Sequence, residues 1–539
     1  MYKNQINKPL FDRHKSGYTR EFNPLDVFIF NVMGFSLGLA LSTNPPFIGG
    51  FAPNSNILIV IGLGAVLAFL NGLVYGWFGA IMPSTGGDFV FVTRSISHRI
   101  GFLTSWGFTL TQIYGMATNI GWIISMAVTP SLTTIGYLFD NKELINWAKD
   151  FSENFVFMGS IVIMLLYWLI STLGFSLNRV FAIIIFLLGM IGPFLIGWIL
   201  YNTTHNEFVT NFDKFILNQY GIKDAYNLII QTAKDSGMQM NANNTISESF
   251  RALPIGFLCF LGFTYSVYAG GEIEKPEKSQ IQGILFALLL GLFTFIICMG
   301  KYVNIIGQEF HAALGNSTAL EKIGLHFNSM NFIVGIISEK PMLNLFMQIG
   351  ITIWFLLVPF IMLQVCTRNI IAWTCDGLLP NSFLKRTNTN SPYIASLAVT
   401  LLAIAFIVAI NLIGLSLVGA VALAAVAYLF TSIGAMILPD RNPIAFAKLP
   451  LSAKNKLTGI TSNFQLTGFI CALGFLWIIY ASVVYPEISG GSTYRAIFMI
   501  LAVYISGLLF YEWRRKLLKN LETKANIDLE QLFKEIPED

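Results

Sequence analysis

The chain has 539 residues, of which 55% are hydrophobic and only 12% charged, with a formal net charge of +4 and a mean hydropathy of +0.65. A soluble chain of this length carries about twice that share of charge, so a water-soluble globular fold is excluded. The small positive balance is distributed over tails and loops and leaves no footprint for nucleic acid.

The first 25 residues hold five Lys or Arg and no long apolar run, which predicts a retained cytoplasmic tail and not a signal peptide. Uncharged runs then follow at 27–87, 100–139, 154–178, 180–206, 252–271, 279–300, 341–367, 391–439, 457–486 and 496–511. Most exceed the roughly 20 apolar residues that a bilayer requires. The first and eighth are long enough for two spans each, divided by a polar turn at TNPPFIGGFAPNSN and near Asn411, so twelve transmembrane helices are expected. The twelfth is the shortest, with 16 uncharged residues between Arg495 and Glu512, extended if its flanking charges snorkel.

With twelve alternating spans and both termini cytoplasmic, 23 Lys or Arg fall inside and ten outside, nine of the ten in long loops near 129–153, 202–251 and 301–340. Long loops carry less topological weight, so this orientation is the expected one. Asn202, Asn243 and Asn316 open Asn-x-Ser/Thr triplets in those outer loops, as glycan acceptors or as unmodified surface asparagines.

Metal and catalytic chemistry find little material. Cys259, Cys298, Cys366, Cys375 and Cys471 lie in or beside spans without metal-ligand spacing. His14, His98, His205, His311 and His326 sit in the tail or loops. Asp88, in a GGDF stretch, has no second intramembrane aspartate to pair with, so no enzyme is expected.

Glycines and hydroxyls are concentrated in two places: NVMGFSLGLALS at 31–42 in span 1 and FLGFTYSVYAGGEIEKP at 260–276 in span 6. A helix interrupted at membrane depth exposes N–H and C=O groups, tolerated only where they face a cavity or ligand. Amides opening one half-helix suit a carboxylate, and carbonyls closing another suit an ammonium group, so the pair suits a zwitterion. Close helix packing is the competing account of such glycines, as for Gly72 and Gly76 in span 2.

Three segments resemble the amino acid/polyamine/organocation superfamily of transporters. PSTGGDFVFVTRSIS at 83–97 is similar to its Pro-x-x-Gly-Gly-x-Tyr-x-Tyr-x-x-Arg signature, with Phe89 and Phe91 in place of tyrosines. Span 6 resembles the Gly-Phe-Glu then Gly-Glu-x-x-Asn-Pro pattern through Gly262, Phe263, Gly271, Glu272 and Pro276. TRNIIAWTCDGLLPNSF resembles the Ser-Arg-x-x-x-Ala-x-x-x-Asp-Gly-x-x-Pro segment through Arg368, Ala372, Asp376, Gly377 and Pro380.

The resemblance implies an all-α membrane fold with a five-plus-five inverted repeat, discontinuous helices 1 and 6, and two extra helices. Its parts would be a tail at 1–25, repeats at 26–201 and 252–438 around an outer loop at 202–251, an inner loop at 439–464, helices 11 and 12 at 465–512, and a tail at 513–539. It further implies secondary transport of amino acids, with a sensor or an exchanger of other small amines as alternatives. The expected binding residues are Gly34, Phe35, Ser36 and Gly38 in span 1 and Leu258, Cys259, Leu261, Gly262 and Thr264 in span 6. Thr111 and Tyr114 of span 3 join them, although a second stripe, Gln112 and Asn119, competes for the same role. Two registers of the span 1 break remain open. No cofactor is expected, and a coupling ion, Na+ or H+, is left undecided, because span 5 lacks a lysine and Thr264 stands where relatives carry an acid. The absence of charge between the ends of the spans predicts a neutral substrate side chain.

Overall fold

The computed structural model describes residues 20–525 apart from 150, 152, 241–244, 339, 415–419, 458, 460, 486–487 and 489–491. His14, Asn243, most of both tails and part of the turn after Asn411 lie outside the described residues.

Span 1 is two helices, α1 (Pro24–Phe35) and α2 (Leu37–Phe51). Asn23 and Asp26 form a reciprocal cap with Pro24 at the first helical position, so the sequence dictates where α1 starts. The expected turn at TNPPFIGGFAPNSN is shorter than the polar residues suggest, because α2 runs through Pro45 and Pro46 to Phe51. The Pro45 carbonyl there accepts a hydrogen bond from His311 Nε2 at 2.8 Å. Burial pushes that imidazole down to about 4, so it remains a neutral donor at physiological pH.

Next come α3 (Ile57–Ile81), the short α4 (Asp88–Ser95) and α5 (His98–Trp122), which passes through one π-helical turn, Ile123–Val128, into α6 (Thr129–Leu138). After α7 (Lys142–Lys149) come α8 (Glu153–Ser171) and α9 (Phe175–Tyr201), then three loop helices, α10 (His205–Tyr220), α11 (Ala225–Asp235) and α12 (Thr245–Arg251). Span 6 begins as α13 (Leu253–Leu258) and continues as 3-10 turns over Tyr265–Tyr268 and Gly270–Glu272, a strap where a second half-helix was expected. α14 (Pro276–Ile306) leads to α15 (Gln308–Ala313), α16 (Ser317–Lys322) and α17 (Met330–Ile337). The remainder is α18 (Pro341–Cys375), α19 (Tyr393–Ile413), α20 (Ala420–Arg441), α21 (Pro443–Ala447), α22 (Leu451–Lys454), α23 (Asn463–Val484) and α24 (Thr493–Ala525).

Among the described residues ten of these units are long and apolar enough to cross a membrane: α1 with α2, α3, α8, α9, α14, α18, α19, α20, α23 and α24. The two expected spans outside that set are the third, rich in Thr, Ser, Gln and Asn, and the interrupted sixth. α14 packs against α1 and α3, and α3 against α13, while α18 packs against α5 and α9, and α19 against α5 and α8. Exposed apolar side chains such as Phe194, Phe293, Phe498 and Leu509 cover the rim of the bundle, as lipid-facing helices require.

The two ends of the bundle are tied differently. At the loop-rich end Ser42 Oγ donates to Asn331 Oδ1 (2.6 Å), and Asn331 Nδ2 and Ser131 Oγ both donate to Gln348 Oε1 (2.9 and 3.0 Å). This neutral network joins α2, α6, α17 and α18. At the opposite end the ties are ionic: Arg179 to Asp26 (2.7 Å), Arg368 to Glu272 (2.6 Å) and Arg94 to Asp376 (3.2 Å).

Candidate functional site

The two helix interruptions meet. Ser36, between α1 and α2, adopts a left-handed backbone (φ 47°), which resolves the register of the break. Opposite it, Gly262 has φ 109°, which favours glycine. A Cβ on Gly262 would stand 2.3 Å from the Gly34 carbonyl oxygen, and one on Gly34 would stand 2.3 Å from that of Gly262. Only two glycines permit this approach.

The first amides of α2, from Leu37 onward, have no partner within their own helix and sit at the break. Across from them the chain turns through residues 259–264, where 3-10-type bonds such as Phe260 N–H to Phe257 C=O (2.9 Å) replace the α-helical ladder. Side chains brace both segments. Asn31 Oδ1 accepts from the Ser266 N–H at 2.9 Å, the Tyr265 hydroxyl bonds Gln112 of α5, and Thr264 Oγ1 lies 3.4 Å from the Tyr428 hydroxyl. Trp354 fills the groove beside Gly38, donates from Nε1 to the Gly189 carbonyl (2.9 Å), and its own carbonyl accepts from Ser36 Oγ (3.2 Å).

The structure thus brings Gly34, Ser36, Gly38, Gly262 and Thr264 to one place. Leu258 ends α13, Leu261 is half-buried in the turn, and Cys259 Sγ accepts from Asn44 Nδ2 at 3.2 Å. The Phe35 ring turns away to pack on Phe260 and Phe295. In span 3 the two stripes separate. Gln112 reaches the strap, Thr111 bonds its own helix at the Gly107 carbonyl (2.8 Å), and Tyr114 packs on Phe406 of α19 beside Leu423 and Val503. Tyr114 is therefore not brought to the breaks. Asn31, Asn44 and Tyr265 were not singled out from the sequence, although an amide inside an apolar run was a usable signal for the first two.

A cavity of about 210 Å³ opens beside the break on the ionic end, reaching Phe30, Met33, Ile361 and Gln364. Asp26, Arg179, Glu272 and Arg368 line it as the two bidentate pairs already described. The Glu272–Arg368 pair is buried, so Glu272 is not part of a solvated helix end, whereas Glu274 and Lys275 next to it are exposed. Cys259, Cys298, Cys366 and Cys471 are buried and form no disulfide, and among the described residues no His, Cys, Asp and Glu cluster could hold a metal.

Comparison with known proteins agrees with this geometry. A family model described as amino acid permease matches residues 25–510. The chain is similar to a branched-chain amino acid permease, BcaP, of Bacillus subtilis, 22% identical over 243 residues, 44% of this chain and 49% of that protein. It is also similar to an uncharacterized protein, 399, of Sulfolobus islandicus rod-shaped virus 1, 26% identical over 133 residues, 24% of this chain and 30% of that protein. The chain thus matches about half the length of the first relative and less of the second.

Proposed function

The chain belongs to the amino acid permease family, and from that premise we propose that it is a secondary transporter of neutral amino acids working by alternating access. The observation that carries the reading is the meeting of two interrupted helices at Gly34 and Gly262. The amide end of α2 suits a substrate carboxylate, and the turn carbonyls at 259–264 suit its ammonium group. Ser36, Thr264, Gln112 and Tyr265 supply neutral polar groups for orientation. Twelve spans in a five-plus-five inverted repeat, with α23 and α24 added, complete the proposal. Its support is that the breaks fall in the first helix of each five-helix half.

The neutral specificity follows from charge accounting. Asp26, Arg179, Glu272 and Arg368 beside the break satisfy one another, so an arginine or glutamate side chain would meet no free opposite charge. Carrying one to mid-membrane costs about 3 kcal/mol or more. Labelled leucine, alanine and serine should be displaced by neutral amino acids and not by excess arginine, spermidine or glutamate. Inhibition confined to the charged compounds would sink the neutral reading. Substrate binding without substrate-dependent flux in proteoliposomes would indicate a receptor.

The proposed orientation puts the ionic end in the cytoplasm. In intact cells an impermeant maleimide should label a cysteine placed at Asn202, which is exposed after α9, and leave Cys375, at the end of α18, unlabelled. The reverse pattern would invert the topology.

A further inference from the structure

We propose that Asp88 is a proton-binding site, and that its proton decides whether the span 6 strap stays docked on the Gly86–Asp88 turn. The strap lies directly on that turn. Gly86 N–H donates to the Tyr268 carbonyl (3.1 Å), Thr85 bridges Ala269, and a Cβ on Gly87 would meet Val267 and Tyr268 within about 3 Å. Asp88 follows at the start of α4, fully buried, and neither of its carboxyl oxygens has a hydrogen-bond partner. The Tyr268 hydroxyl and the amides of Asp88 and Phe89 come near the carboxyl yet fall outside bonding geometry. The Tyr268 and Tyr504 hydroxyls, and those of Ser84 and Thr85, are equally without partners.

The groups acting on this carboxyl are phenols: Tyr75 of α3, Tyr268 of the strap, Tyr428 of α20 and Tyr504 of α24. The charged groups on the elements packed around it face elsewhere: Arg94 pairs with Asp376, which the His98 imidazole also approaches at 3.5 Å, Arg99 with Glu512 and Arg368 with Glu272, Arg514 donates to the Gly377 carbonyl, and Arg441 is exposed at the end of α20. A buried carboxylate with neither hydrogen bonds nor a cation is costly, and it escapes the cost by taking a proton. Burial accordingly pushes Asp88 up to about 7.

When the strap lifts, water reaches the carboxyl and its affinity returns to the ordinary range near 4. Docking therefore takes up one proton between roughly pH 4 and 7. A hydronium ion gives its proton to a carboxylate oxygen, an O–H bond forms and water is left; undocking reverses the step. The docked state is favoured on the acid side of this window and weakens by up to about tenfold per pH unit through it, with no further change above. Resting on the transport reading for its consequence, the site makes acidification of the ionic face hold the strap down and slow turnover.

The test reads strap position directly. Ser84, buried beneath Gly270, is replaced in Ser84→Cys on a Cys375→Ser background, the other cysteines being buried. Labelling by a permeant maleimide is followed from pH 5 to 8 with and without Asp88→Asn, which cancels the thiol's own titration. The ratio of the two rates should climb at least tenfold between acid and neutral pH; a flat ratio overturns the proposal. Infrared spectra of the unsubstituted protein guard against misfolding of the variant. A protonated-carboxyl band should persist above about pH 5 and fade near neutrality, and its loss by about pH 5 would likewise overturn the proposal. Neither readout needs substrate movement, so failure of the competition assay would fall on the transport reading alone.

Discussion

Gly262→Ala is expected to cut amino acid uptake by about a hundredfold, and Gly262→Leu to abolish it, with both proteins still inserted in the membrane. The added Cβ would stand 2.3 Å from the Gly34 carbonyl oxygen and 2.5 Å from its carbon, atoms of backbone that cannot swing aside. Gly262 also has φ 109°, a conformation that strains any other residue. Overpacking of this kind costs about 1–3 kcal/mol, the upper end of which is about a hundredfold. Because the strain falls where the two breaks touch, it acts on the proposed site and not on the long helices that anchor the fold. Radiolabelled uptake measured alongside surface expression checks this, and wild-type uptake by Gly262→Leu would remove span 6 from the site.

Arg368→Ala should lower stability by about 3–5 kcal/mol, the usual cost of leaving one member of a buried pair uncompensated. Both side chains are almost fully buried, 6% and 2% exposed, and the guanidinium makes two parallel bonds to Glu272 at 2.6 and 2.8 Å. Joint replacement by Arg368→Met and Glu272→Met should recover most of the loss, since no charge is then stranded. Thermal unfolding in detergent distinguishes these outcomes. Equal melting of Arg368→Ala and the unsubstituted protein would show that water already reaches the pair.

Much of this was legible in the sequence because lipid imposes a coarse rule. Runs of uncharged residues locate the long helices, and glycine with hydroxyls marks the two places where helices stop, close to Ser36 and across 259–264. What was not legible is which distant residues meet. Arg94 and Asp376 belong to two of the recognisable segments, Glu272 and Arg368 to two likewise, and each segment offers several charges; only the folded bundle selects the partners. Helical spacing left the stripes of span 3 equivalent, and the packing of Tyr114 on Phe406 against the bond from Tyr265 to Gln112 separates them. Pro45 and Pro46 read as a turn, yet α2 runs through both, and His311, which bonds the Pro45 carbonyl, lies 266 residues away. The second half of span 6 carries two adjacent glycines, and it forms a strap laid on the neighbouring Gly86–Gly87 turn, whose Gly86 N–H donates to the strap's Tyr268 carbonyl.

The unlike ties at the two ends of the bundle make the molecule asymmetric toward dissolved electrolyte. Separating α2 and α6 from α17, none of which carries a charged residue, breaks apolar packing and the dipolar contacts among Ser42, Asn331, Gln348 and Ser131, and mobile ions barely alter that cost. Parting α1 from α9, or the strap from α18, sets free full charges on Asp26, Arg179, Glu272 and Arg368. Salt in the bathing solution stabilises those liberated charges by screening, over a Debye length near 8 Å at physiological ionic strength. Added electrolyte therefore favours opening at one end only. In the proposed alternating-access cycle, ionic strength becomes a one-sided lever, lengthening the time spent open toward the ionic face while opening at the other face keeps its own rate.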